Sequence, residues 1–292
     1  MDPLVARKTW RTVEPLHAFI YFVPEADEEY EAAGLEPGRM GYFASRAAAL
    51  GPVSAEVVIA TFFNFWPGLV RPVIPRAWGL AAPGRILDAR MAAADAALRR
   101  GLGDEACASA EMGELGALLR RAADAAAGHP EGRPLFAAHA AVDWPDESHL
   151  VVWWAETLLR EFRGDGHLAA LVAEGVSAPE ALVLHAASGE VPAAALQLTR
   201  AWPAADWTDA EASLEARGWL DRTGDAPALT DAGRAHRQWV EDTTDARAVP
   251  AYEVLGEEGC DRVRSLARPF SRALIDAGLL TPDLSRYRDS GG

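Results

Sequence analysis

Residues 159–175, LREFRGDGHLAALVAEG, gather Arg160, Glu161, Arg163, Asp165 and His167 within an otherwise Ala- and Leu-rich chain. An arginine beside an imidazole can hold the polar group of a ligand, and an Asp–His pair can move protons. The same residues also make a structural junction. The spacing ends a helix near Phe162, where Arg160 and Arg163 complement the macrodipole. Gly164 and Gly166 permit positive φ, and Asp165 caps a second helix that opens with Gly166 and His167. That account has no use for the His167 imidazole. A helix N-terminus disfavours its cationic form and leaves a neutral donor–acceptor suited to a polar ligand group.

Further candidates lie in pairs. His17 leads the apolar run HAFIYF and His149 leads HLVVWW. Tyr21, Tyr42 and Arg46 join them from the first of two similar stretches. The run TFFNFW places Phe62, Phe65 and Trp66 together as cavity lining or as core, with Asn64 among them needing polar partners. The four histidines 17, 149, 167 and 185 show no HxH or HxxxH spacing, so no metal site is assigned. GxSxG, GxxxxGK[ST] and a dinucleotide-binding glycine fingerprint are missing from the sequence. No cofactor can be named.

The elements that position these residues come in two similar sets. GYFASRAAALGPVSAE from Gly41 parallels GHLAALVAEGVSAPE from Gly166, and PGLVRPVIPRAWG parallels PAAALQLTRAW. In this alignment His17 faces His149, and Tyr42 faces His167. Periodicity predicts helices over 3–22, 25–33, 39–49, 53–65, 84–101, 109–127, 147–162, 166–174, 178–188, 191–201, 207–217 and 258–277. In the second set, Thr208 is placed to cap the helix over 207–217, with Glu211 three residues on. Gly218 stops that helix. WLDRTGDAPALT reads as two short strands around a turn, and Thr230 opens another helix.

Helix, RGWL, hairpin, LTDAG, helix resembles the winged helix of MarR-type regulators over 207–240, carried by Leu214, Glu215, Arg217, Gly218, Leu220, Arg222, Leu229, Thr230 and Gly233. The stretches EPLHAFIYFVPEA, GYFASRAAALGPV and LREFRGDGHLAAL resemble an actinobacterial family of helix-turn-helix proteins for which no activity is implied. In the first set the corresponding wing, RRGLGDEACASAEMGELG, lacks both the strand alternation and the Leu-Thr pair.

The resemblance implies a mainly α fold of tandem winged-helix-like repeats, with one or two small β-wings. The repeats would occupy 1–140 and 141–292 as a pseudo-twofold, single-chain dimer, otherwise monomeric. Such a fold brings His17, Tyr21, Tyr42 and Arg46 towards His149, Arg163, Asp165 and His167. Regulators of this type hold small aromatic ligands between their lobes, so a small-molecule partner is expected.

DNA is disfavoured by charge. The chain carries a formal −15 over 292 residues, and the helix that should enter the major groove bears Asp206, Asp209, Glu211 and Glu215 against Arg217. No stretch approaches the roughly 20 apolar residues of a membrane helix, and the N-terminus has no signal pattern. A soluble cytoplasmic binder of an aromatic or amphipathic molecule is the leading reading. A DNA-binding regulator and an enzyme using His, Asp and Tyr are the alternatives.

Overall fold

The chain reads as helices punctuated by proline, and in a computed structural model it folds that way. The structure describes residues 1–224 and 226–281. Helices Pro3–Val13, Pro24–Ala32, Pro83–Leu102 and Pro134–Ala140 all begin on a proline, whose missing N–H costs nothing in a first turn. Pro15 divides the expected helix over 3–22 into Pro3–Val13, Pro15–Ala18 and a 3-10 turn, Phe19–Tyr21. The helix expected over 53–65 runs only from Ala55 to Phe62. There Phe63 takes a positive φ of 57° and turns the chain sharply. Residue types of this bulk seldom adopt such a φ.

The largest departure lies at residues 163–167. The expected break between 162 and 166 does not exist: one helix runs unbroken from Ser148 to Ala173. At about 1.5 Å per residue it is close to 39 Å long. It is buried nearly all round, through Val152, Trp153, Trp154, Leu158 and Phe162, as befits a helix through the middle of a domain. Each interior glycine costs it about 1 kcal/mol, which tertiary contacts offset. A Cβ on Gly166 would stand 2.8 Å from Nη1 of Arg133. Arg133 uses that space to donate to the Phe162 carbonyl inside the helix. Asp165 does not cap its own helix. Its carboxylate accepts the N–H groups of Leu135 and Phe136, both at 3.0 Å, and so caps helix Pro134–Ala140 from outside. The chain finally breaks at Gly175, with φ of +62°.

Around this central helix pack Ala110–Ala126, Pro134–Ala140 and Asp231–Glu253, with Pro3–Val13 and Gly256–Asp276 beyond them. The apolar core falls into two clusters. The larger unites residues from 6–162 with residues from 249–279, including Phe19, Phe43, Trp153 and Tyr252. The smaller comprises residues from 170–240, including Leu184, Trp207, Leu214 and Leu229. Packing thus groups the chain differently from the sequence alignment, which divides it after residue 140.

The smaller cluster holds the hairpin. Helix Ala204–Ala216 ends before Gly218, whose φ is +71°. Leu220 and Asp221 then pair antiparallel with Leu229 and Ala228. Thr230 caps helix Asp231–Glu253 through the Gly233 N–H. Thr208 does not cap: the helix starts a turn earlier, after Pro203, and the Thr208 hydroxyl donates to the Ala204 carbonyl. Glu211 instead accepts from the Trp207 indole at 2.9 Å. Among the described residues this is the one sheet. The corresponding stretch of the first set forms helices Asp104–Cys107 and Ala110–Ala126. Without a Leu-Thr pair or alternation, nothing there favours strands over the Ala-rich helix. Also among the described residues, no single helix is long and apolar enough to cross a membrane.

Candidate functional site

A cavity of about 920 Å³ opens between the two core clusters. Phe62 and Phe65 form its apolar wall on the larger cluster, and Leu168, Leu171 and Leu184 face them from the smaller. The turn at Phe63 brings Phe62 and Phe65 to the same wall. Main-chain contacts lock that turn onto the other lobe: Trp66 N donates to the Arg200 carbonyl at 3.0 Å, and the Trp202 indole donates to the Asn64 carbonyl at 3.0 Å. A smaller cavity of about 480 Å³ lies beside it, sharing Glu14, Tyr42, Asn64, Phe65, Arg160, His185 and Arg200 with the first.

Seven of the anticipated site residues line the larger cavity: Tyr42, Arg46, Phe62, Phe65, Arg163, Asp165 and His167. Tyr21 lines the smaller. His17 lies behind that wall, fully buried, bonded to Tyr21 and to Thr157 of the central helix. Two stand apart. His149 is buried with Nε2 2.6 Å from Asp95, and Trp66 stays over one-third exposed, its ring lying against Gly68.

The walls are rich in ion pairs. Arg46 bonds both oxygens of Glu161, at 3.1 and 3.2 Å, and the Tyr42 hydroxyl at 3.0 Å. Arg160 joins Glu161 to Glu14, and Glu14 also accepts from the Trp10 indole. Arg163 reaches Asp245 at 2.8 Å and Glu241 at 3.4 Å, and Arg7 bridges the same two carboxylates.

These pairings set the titration. Burial opposes the Glu161 charge, but Arg46 and Arg160 outweigh it and hold that carboxyl down at about 2. Asp165 has no equal partner. Burial pushes it up to about 6 despite the two N–H groups it accepts. Burial would raise the Tyr42 phenol, yet the guanidinium groups of Arg46, Arg200 and Arg160 bring it below its usual value. Burial lowers His167 to about 4.

Sequence reading missed Glu14, Arg7, Arg200 and Glu241 as cavity residues. Arg7 and Glu241 lie 234 positions apart, and no local signal joins them. Arg160 and Glu161 stood within the polar cluster at 159–175, but the expected helix end assigned the arginine to the macrodipole.

The balance of charge is the chief chemical feature. Arg7, Arg11, Arg46, Arg160, Arg163, Arg200, Arg234 and Arg237 line the larger cavity against Glu14, Glu161, Asp165, Glu190 and Glu241. That is eight of the chain's 28 basic residues but five of its 43 acidic ones. In a chain of −15, the lining thus holds more guanidinium than carboxylate groups, while Asp245 and Asp231 beside it pair with Arg7, Arg163 and Arg234. Among the described residues, no group of three or more His, Cys, Asp or Glu side chains is placed to hold a metal ion.

A helix-turn-helix family model matches residues 6–281, nearly the whole chain. The chain belongs to the helix-turn-helix family. No curated protein and no solved structure matches it. The helix before the hairpin is Ala204–Ala216. Here it exposes Asp209 and Glu215, and the nearby Arg222 lies 3.5 Å from both Glu211 and Glu215.

Proposed function

We propose that this protein binds a small organic anion with a flat apolar body in the cleft between its two lobes. The observation that carries the reading is the excess of arginine over acidic side chains in the cavity lining. Eight guanidinium groups line one cleft of a strongly acidic chain. Those of Arg7, Arg46, Arg160, Arg163, Arg234 and Arg237 are held in ion pairs with neighbouring carboxylates, and the lining as a whole keeps an excess of positive groups that favours an anion. Phe62, Phe65 and three leucines offer the apolar surface that ligand sites use for most of their contact. Sensing, sequestering or transforming that anion are all compatible with this site.

The scaffold reading is a duplicated MarR-like winged helix. In its support, Gly51 and Gly175 both take positive φ, and Ser54 and Ser177 both stand at the N-cap of the next helix. The chain bends by 94° at the first place and 101° at the second. The charge of helix Ala204–Ala216 weighs against DNA as the main partner, since its exposed carboxylates would repel phosphates.

Calorimetric titration with cinnamate, with the neutral cinnamyl alcohol and with cinnamylammonium tests the reading. Cinnamate should bind, the ammonium should not, and Arg200→Gln should weaken cinnamate by about tenfold, the equivalent of 1.4 kcal/mol. Equal affinity for the anion and the cation would overturn the proposal. So would tight duplex DNA binding, with a steep salt slope, in a protein that ignores cinnamate.

A further inference from the structure

Two tyrosines at the smaller cavity have opposite hydrogen-bonding needs. The Thr157 hydroxyl donates to the Trp153 carbonyl at 2.9 Å. Its oxygen therefore accepts from His17 Nδ1, 2.9 Å away, which leaves His17 Nε2 as a bare acceptor. Tyr21 Oη lies 2.9 Å from that Nε2 and must donate to it. The only proton of Tyr21 is thus committed to the protein interior, and its oxygen can only accept from a ligand. Tyr42 is the reverse. Its oxygen already accepts from Arg46 Nη1 at 3.0 Å, and its O–H remains to donate. The two rings stand 5.5 Å apart, centre to centre, and both line the smaller cavity.

We infer that the smaller cavity reads a ligand hydroxyl, which donates to Tyr21 Oη and accepts from the Tyr42 O–H. A hydroxyl satisfies both tyrosines at once. An ether oxygen can only accept and would leave Tyr21 unsatisfied, and a hydrocarbon satisfies neither. His17 acts as a positioning residue. Fully buried, and kept neutral by burial and by the guanidinium groups of Arg160, Arg90 and Arg46, it fixes the direction of the Tyr21 proton. The inference rests on the anion reading above. The two cavities adjoin, with Tyr42 and Phe65 in both linings. In this reading one molecule places its charge in the larger and its hydroxyl in the smaller.

The test uses the intact protein with cinnamate, para-hydroxycinnamate and para-methoxycinnamate. The hydroxy acid should bind about three- to tenfold more tightly than the methoxy acid, the factor one net hydrogen bond supplies. Tyr21→Phe should bring that ratio close to one. Tyr42→Phe should weaken both oxygenated acids relative to cinnamate. Heteronuclear NMR of the His17 ring nitrogens, which needs no variant, should show the proton on Nδ1. A proton on Nε2, or a methoxy acid that binds as well as the hydroxy acid while cinnamate binds, overturns the hydroxyl assignment alone. Failure of all three acids to bind overturns the anion reading and this inference with it.

Discussion

Gly166 in the central helix and Gly233 at the start of helix Asp231–Glu253 both sit where a Cβ has little room, but against different neighbours. At Gly233 the obstacle is main chain: a Cβ would overlap the Trp219 carbonyl oxygen. The turn that follows helix Ala204–Ala216 crosses directly over the start of the next helix, and neither can move without opening the hairpin. At Gly166 the obstacle is the tip of the Arg133 side chain, with the Cβ of Arg247 at an ordinary 3.5 Å. The first glycine is demanded by the path of the backbone. The second makes room for a side chain that can go elsewhere.

Alanine at the two sites should separate them, with the largest effect at Gly233. Gly233→Ala must displace backbone and should cost about 3 kcal/mol or more, towards the upper end of overpacking effects. Gly166→Ala displaces Arg133 from the Phe162 carbonyl but gains about 1 kcal/mol of helix propensity, so its net change should stay within about 1 kcal/mol. Denaturant unfolding of both variants decides it. Similar losses at the two sites would mean that Arg133 is held as rigidly as main chain.

The same contrast separates the two caps. Thr230 closes its own helix, three residues from the N–H it accepts. Asp165 caps a helix about thirty positions away. Asp165→Ala leaves two buried N–H groups bare and should cost about 2 kcal/mol. Asp165→Asn keeps an acceptor and should recover most of that at pH 7. The pH dependence sharpens this. The Asp165 pKa rises from 3.8 to about 6 on folding. Its contribution is therefore complete below pH 3.8 and is lost as pH climbs through 6. Asp165→Asn should remove that loss. An Asn variant with an unchanged stability–pH profile over this window would show that the carboxylate stays ionised there.

These pairs explain how much could be read in advance. Gly218, the hairpin and the Thr230 cap were legible because each completes its bonding within a dozen residues. The break expected at 163–167 is absent because Asp165 and Gly166 serve neighbours remote in sequence, namely the 134–140 helix and Arg133. Tyr42, Arg46, Arg163, Asp165 and His167 were legible as polar groups out of place in apolar helices, and the cleft gathers them. Their partners Glu14, Arg7 and Glu241 were not. On their own helices they pass for solvated charge, and only packing brings them to the cleft. Thr208 carried a capping pattern that goes unused, since the helix already begins at Ala204, with Pro203 at its N-cap.

His167 should give the smallest effect at neutral pH and the most informative one. The Thr244 hydroxyl donates to the Val240 carbonyl at 2.7 Å, so His167 Nδ1, 3.0 Å away, must donate to Thr244. That single bond is the structural work of the imidazole, and Nε2 is left to accept from a ligand in the cleft. His167→Ala should therefore cost about 1 kcal/mol at pH 7, one hydrogen bond. Its pH signature is opposite to that of Asp165. The His167 pKa falls from 6.5 to about 4 on folding, so its contribution is complete above pH 6.5 and is lost as pH falls through 4. Replacing it should flatten that part of the acid limb, whereas Asp165→Asn should steepen it by removing the opposing term. Thermal unfolding from pH 4 to 7 measures both slopes, and cinnamate titration of the same variants measures the site. A His167→Ala protein that loses several kcal/mol at pH 7 yet binds cinnamate as before would make the imidazole a structural group of the central helix. A variant that keeps its stability and loses affinity would place the imidazole in the cleft's binding chemistry.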